Sequence, residues 1–129
     1  MCIVSENRIA KKMEADLCRT LCHRGPDGVS YYRVSLVQNK SLFLVHNRLA
    51  IIDLDEEAKQ PMIESHSGNA IVCNGEIYNY RELKESYKGI DWQTKSDTEV
   101  ILKLYGHLGK DLVKKLNGIF AFAIYDRLH

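Results

Sequence analysis

Val72-Cys73-Asn74-Gly75-Glu76-Ile77-Tyr78-Asn79-Tyr80 is the stretch on which the reading of this chain turns. The apolar run from Ala70 to Cys73 predicts a buried strand. Asn74-Gly75 predicts a turn after it, since both residues tolerate positive φ. The polar, aromatic segment beyond predicts a helix that starts near Tyr80. A strand ending in Asn-Gly-Glu delivers a side-chain amide, a bare backbone N–H and a carboxylate to one small volume. Such a set can polarise a carbonyl and orient a polar substrate. Asn-Gly between apolar runs equally suits a plain hairpin turn, so its weight comes from the rest of the chain.

Outward from that stretch, the bulk properties set limits. A chain of 129 residues is long enough for one domain with its own core. Apolar residues make up 45% and charged residues 27%, the proportions of an ordinary globular protein. A net charge of +1, without a concentrated basic run, offers no field to draw nucleic acid or anionic lipid. The longest apolar stretch, Ile119 to Tyr125, is too short to span a membrane, and no secretory signal is visible. The four cysteines, Cys2, Cys18, Cys22 and Cys73, are accordingly read as reduced thiols in the cytoplasm.

Met1-Cys2-Ile3-Val4-Ser5 predicts a short first strand. The small side chain of Cys2 permits an aminopeptidase to remove Met1, which leaves a thiol and a free α-amine on one residue. That pair is a self-contained nucleophile and base, because an α-amine titrates near neutrality. The plain alternative is a small apolar residue that begins a strand. Asn7 to Cys22 predicts a helix capped by Asn7, with Ile9, Met13, Leu17 and Leu21 on its buried stripe. Cys18 and Cys22 lie one turn apart beside His23, but they lack the paired spacing of a zinc site and are read as packing residues.

His23-Arg24-Gly25-Pro26-Asp27-Gly28 ends that helix, and two strands, Tyr31 to Val37 and Leu42 to Val45, follow with a hairpin connection over Gln38-Asn39-Lys40-Ser41. His46-Asn47-Arg48 interrupts the apolar path before Leu49-Ala50-Ile51-Ile52. An arginine there is solvated or paired; it can grip a carboxylate with two parallel hydrogen bonds, or form a structural ion pair with Asp53. Asp55 to Ser67, with Pro61, predicts a surface loop, and Arg81 to Tyr87 a short helix. Ser96-Asp97-Thr98-Glu99 has the pattern of a capping box, opening a helix with Val100, Ile101, Leu104 and Leu108 on one face. Asp97 suits the helix dipole, or alternatively an ammonium group. Leu112, Val113 and Leu116 predict a further short helix, and Ile119 to Tyr125 a strand buried on both faces.

Taken in order, Met1-Cys2, His23 to Gly28, Arg48 to Asp53, Asn74 to Asn79, Ser96 to Leu102 and Gly118 to Asp126 resemble the glutaminase domain of class II glutamine amidotransferases. The chain is similar above all to that domain of glutamine-hydrolysing asparagine synthetase, over essentially its whole length. The resemblance implies an α+β fold, an αββα sandwich of two mainly antiparallel sheets of N-terminal-nucleophile hydrolase type. It implies that Cys2 is the nucleophile once Met1 has gone and that its own α-amine shuttles the proton. Asn74 and Gly75 would form the oxyanion hole, while Arg48, Ile52, Glu76 and Asp97 would bind L-glutamine. The chemistry so implied is hydrolysis of glutamine to glutamate and ammonia through a cysteinyl thioester, with no cofactor and no metal.

Two departures accompany the resemblance. The family begins Cys-Gly-Ile where this chain has Cys2-Ile3-Val4, and a one-residue change in a strand turns later side chains to the opposite face. The family also continues with further strands and an ATP-using synthetase domain. The expected domain is therefore residues 1–129, incomplete at its C-terminus and without the synthetase part. A separate ATP-dependent synthetase subunit, or a second chain that completes the sheet, is the implied partner; nucleic acid and membrane are not. A catalytically inactive glutamine-binding remnant, acting as a regulatory or interaction module, is the alternative function.

Overall fold

A computed structural model describes residues 1–5, 11–20, 22–26, 28–38, 40–48 and 59–129. The chain divides into two compact units, Met1–Leu54 and Asp55–His129. Each contains an antiparallel sheet of three strands. The α+β expectation of antiparallel sheets accompanied by helices holds.

In the first unit, strand β1 (Cys2–Ser5) is followed by helix α1 (Lys11–Thr20), a 3-10 turn (Cys22–Arg24) and the strands β2 (Gly28–Ser35) and β3 (Ser41–Arg48). The strand order is β1-β3-β2. As the central strand, β3 has its run Ser41 to Val45 buried. Phe43 and Val45 point to the face covered by α1 and are packed by Met1, Ile3, Leu17 and Cys18. Leu17 and Cys18 thus pack as expected, whereas Met13 is 53% exposed and leaves the predicted stripe. Ile9, Leu21 and the capping Asn7 lie outside the described residues. An ion pair of 2.7 Å between Arg33 and Glu14 ties β2 to α1.

Two strand limits differ from expectation. β2 stops at Ser35, because Gln38 adopts φ 59° and the Leu36 N–H donates to the Lys40 carbonyl at 2.8 Å. β3 continues through His46-Asn47-Arg48, since β2 supplies register partners as far as Gly28 opposite Arg48. Polar side chains do not end a strand whose backbone stays paired.

The second unit holds β4 (Met62–Ile63), β5 (Ala70–Ile77), α2 (Tyr80–Ser86), α3 (Asp97–Leu108), a 3-10 segment (Gly109–Lys115) and β6 (Gly118–Tyr125), with strand order β4-β5-β6. Ile71, Cys73 and Ile77 of β5 join Leu83 of α2, the apolar face of α3 and Leu112 in one core. The predicted loop before Ser67 contains β4, whose two residues pair with Ile71 and Ala70. β5 does not break at Asn74-Gly75: the strand runs on, paired with β6, to Ile77 opposite Gly118. The turn falls instead at Tyr78-Asn79, and the helix starts at Tyr80 as expected. β6 is not buried on both faces. Ile119 is 74% exposed, and among the described residues β6 has a strand neighbour on one edge only.

The α3 terminus also departs from its pattern. Ser96 caps the helix by accepting from the Thr98 N–H at 3.1 Å. Glu99 turns away to accept from the Gln93 N–H at 2.6 Å and the Thr94 N–H at 2.9 Å. No helix among the described residues is long and apolar enough to cross a membrane.

Candidate active site

Met1 extends β1 by one residue. Its ammonium group donates to the Val45 carbonyl at 2.6 Å, and its carbonyl accepts from the Val45 N–H at 2.9 Å. That makes Met1–Val45 a hydrogen-bonded pair, so the next pair, Cys2–Leu44, is of the other kind. The backbone N–H of Cys2 therefore points away from β3, to the open edge of β1. Cys2 shares its side-chain face with Leu44, and at two-residue intervals along β3 with His46 and Arg48. The residues after the departure, Ile3 and Phe43, face α1. Cys2-Ile3-Val4 thus leaves the sulfur on the face of the guanidinium. From Leu44 to Arg48 the strand rises about 13 Å.

Around this end of the sheet, burial sets the charges. The Cys2 thiol is exposed, yet partial burial pushes its pKa up, opposed by the neighbouring N-terminal charge. Burial lowers the pKa of the Met1 ammonium, with Cys2 acting in the other direction. Gly25 secures the arginine from behind. A Cβ there would stand 2.3 Å from the Asn47 carbonyl oxygen and 2.9 Å from the Arg48 carbonyl carbon. The absence of a side chain lets the turn after α1 press directly on the backbone that carries Arg48.

In the second unit the end of β5 gathers the other candidates. Cys73 N–H donates to Gln60 Oε1 at 2.5 Å, and Ile77 N–H donates to Asp97 Oδ2 at 2.8 Å. Strand alternation assigns the Gly75 N–H, midway between them, to the same edge. Gly75 has φ 134°, a conformation that other residues rarely adopt. A Cβ there would lie 2.0 Å from the Ile119 carbonyl oxygen. Asn74 and Glu76 are exposed and alternate with the core residues Cys73 and Ile77, so both face away from the helices. Asn79 braces the turn beyond, donating to the Lys115 carbonyl and accepting from the Asn117 N–H, each at 2.9 Å. Burial, then the Asp97 carboxylate, pushes the Cys73 thiol up to about 12, which leaves it inert as a nucleophile.

The structure thus brings Cys2 and Arg48 onto one face in the first unit. It brings Asn74, Gly75, Glu76 and Asp97 to one strand end in the second. Ile52 and Asp53 lie outside the described residues. Sequence reasoning missed Gln60, whose amide joins β5 to α3 by donating to Thr98 Oγ1 at 3.1 Å. It lies in a stretch without periodicity, and only its place before Pro61 marks it. A cavity of about 760 Å³ beside α3 is lined by none of the candidate residues. No group of three or more metal-ligating side chains is found among the described residues.

Comparison with known proteins gives this geometry a context. A family model described as a glutamine amidotransferase domain matches residues 1–129. Asparagine synthetase [glutamine-hydrolyzing] 1 of Arabidopsis thaliana is 40% identical over 123 residues, covering 95% of this chain and 20% of that protein. Asparagine synthetase B [glutamine-hydrolyzing] of Escherichia coli is 38% identical over 117 residues, covering 90% of this chain and 20% of its own length. Among solved structures, glutamine phosphoribosylpyrophosphate amidotransferase from B. subtilis matches with a TM-score of 0.54 and 28% identity, over 68% of this chain and 21% of that one. The chain spans about a fifth of the length of these curated relatives.

Proposed function

The chain belongs to the glutamine amidotransferase family, and on that premise we propose that it hydrolyses the side-chain amide of L-glutamine once Met1 has been removed. Cys2 gives its thiol proton to its own α-amine, and the sulfur attacks the amide carbon. Asn74 Nδ2 and the Gly75 N–H donate to the oxyanion, an effect worth roughly 3–4 kcal/mol per donor in comparable sites. The C–N bond breaks as the α-ammonium returns the proton, and ammonia leaves. Water, deprotonated by the same amine, then cleaves the γ-glutamyl thioester to glutamate and restores the thiol.

Arg48 holds the α-carboxylate of the substrate, and Asp97 with Glu76 holds its amino end and carboxamide, with Ile52 in the same set. The opposite charges of Arg48 and Asp97 match a zwitterion. The observation that carries the reading is the placement of the Cys2 sulfur on the face of β3 that ends in Arg48. Residues 1–129 act on this reading as one cytoplasmic domain. The ammonia passes to an ATP-dependent synthetase part.

The test uses protein whose loss of Met1 is verified by intact mass. Glutamine should yield ammonia and glutamate in a one-to-one ratio, and Cys2→Ala should abolish both. No release from verified, folded protein would overturn the assignment.

A further inference from the structure

Two buried side-chain atoms of the first unit lack a hydrogen-bond partner among the described residues: Asn47 Oδ1, whose amide nitrogen donates to the Cys18 carbonyl at 2.9 Å, and His46 Nδ1, which the reaction leaves without a task. His46 stands two residues after Leu44, the register partner of Cys2, and two before Arg48. Its side chain therefore shares their face. Nδ1 is closed off from solvent and has no hydrogen-bond partner among the described residues. An unpaired buried ring nitrogen is uncommon, because it has given up water and gained nothing in return.

The surroundings define its state. Burial first, then the N-terminal ammonium and the Arg48 guanidinium, lower the pKa of the imidazole. The ring is thus neutral near pH 7 and offers one acceptor lone pair. Among the described residues of the sheet, the other titratable or charged side chains on this face are Cys2 on β1, Tyr32 on β2 and Arg48 on β3. With Met1 present, the terminal ammonium is held by the Val45 carbonyl at 2.6 Å. Excision of Met1 removes that anchor and moves the terminus onto Cys2, whose nitrogen takes no part in the β1–β3 ladder. A group essential to the reaction would then be left without a backbone partner on β3, diagonally across from an imidazole that lacks one. Diagonal neighbours on one sheet face lie about 7–8 Å apart at their backbones, within reach of a histidine side chain.

We propose that His46 is a positioning residue of the mature N-terminus: Nδ1 accepts a hydrogen bond from the α-amine of Cys2 and turns that amine toward the thiol. The inference rests on the reading of Cys2 as nucleophile with its own amine as base. The imidazole gains and loses no proton; it fixes the group that does.

The test compares wild type with His46→Leu, which removes the acceptor, and His46→Asn, whose amide oxygen falls near the position of Nδ1. Met1 removal is verified in each. Two readouts are taken: kcat and KM for glutamine, and the titration of the α-amine followed by its reductive methylation rate across pH. His46→Leu is expected to lower kcat about tenfold or more with KM within about twofold. Its α-amine should titrate at lower pH, since an acceptor that stabilises the ammonium form is gone. His46→Asn should recover most of both. Unchanged amine titration in His46→Leu overturns the inference, and so does an Asn variant that melts like wild type yet falls as far as Leu. If the Leu variant does not fold, His46→Ala takes its place. The titration needs no turnover, so an inactive wild type would sink the wider reading while the His46 contact is still judged.

Discussion

Single residues fix this site by what they lack as much as by what they carry. Gly75 sits in a paired strand at φ 134°, with the Ile119 carbonyl where a Cβ would be. Gly75→Ala is expected to destabilise the protein by about 2–4 kcal/mol in urea unfolding, through backbone strain and displacement of β6. Arg48→Lys keeps the charge but loses the planar fork, so KM for glutamine should rise about tenfold with a smaller effect on kcat. Cys2, Arg48, Asn74 and Asp97 are marked in the sequence by residue type and by order along the chain, and the roles given to them are those of the proposed function. Gly75 was misread because Asn-Gly serves a turn and a positive-φ strand position equally well. His46 was invisible as a site residue, since the isolation of its ring nitrogen arises only when β1 and β2 flank β3.

At the scale of elements, the α3 terminus shows how one pattern supports two structures. Ser96-x-x-Glu99 has the spacing of a reciprocal cap, and Ser96 does cap, so Ser96→Ala should cost about 1 kcal/mol. Glu99, 2% exposed, instead fastens residues 93 and 94 and pairs with Lys103 at 3.1 Å and Lys84 at 3.4 Å. Burial opposes its charge, but the N–H groups of Gln93 and Thr94, then Lys103 and the Thr94 hydroxyl, outweigh it and hold its pKa below the usual carboxylate range. A depressed folded pKa contributes stability above the unfolded value, near 4.3, that is lost as pH falls through the folded one. Glu99→Gln should therefore remove part of the acid limb of the stability curve, and should cost about 2–3 kcal/mol at pH 7 in chemical denaturation. The sequence could not separate these outcomes, because the partners 93 and 94 lie in an irregular loop. β6 was misjudged for a related reason: Ile119 and Ala121 look like core residues, and only the sheet order reveals that their face is exposed.

For the molecule as a whole, the antiparallel sheets and the family were legible because motifs recur in order over the full length, while strand limits depended on pairing partners far along the chain. The proposed function requires that one zwitterion engage Arg48 at one end and Asp97 at the other. With Cys2→Ala to block turnover, glutamine at one hundred times its Kd should stabilise the fold by about 2.7 kcal/mol, read as a rise in Tm. Adding Arg48→Ala or Asp97→Ala should each remove most of that rise at the same concentration. The most direct test of the account is covalent: processed wild-type protein is treated with a glutamine analogue bearing a diazoketone in place of the side-chain amide, and the labelled peptides are identified by mass spectrometry. One equivalent on Cys2, prevented by excess glutamine, is the expected result. Label on Cys18, Cys22 or Cys73 instead, or none on a verified Cys2 terminus, would contradict it.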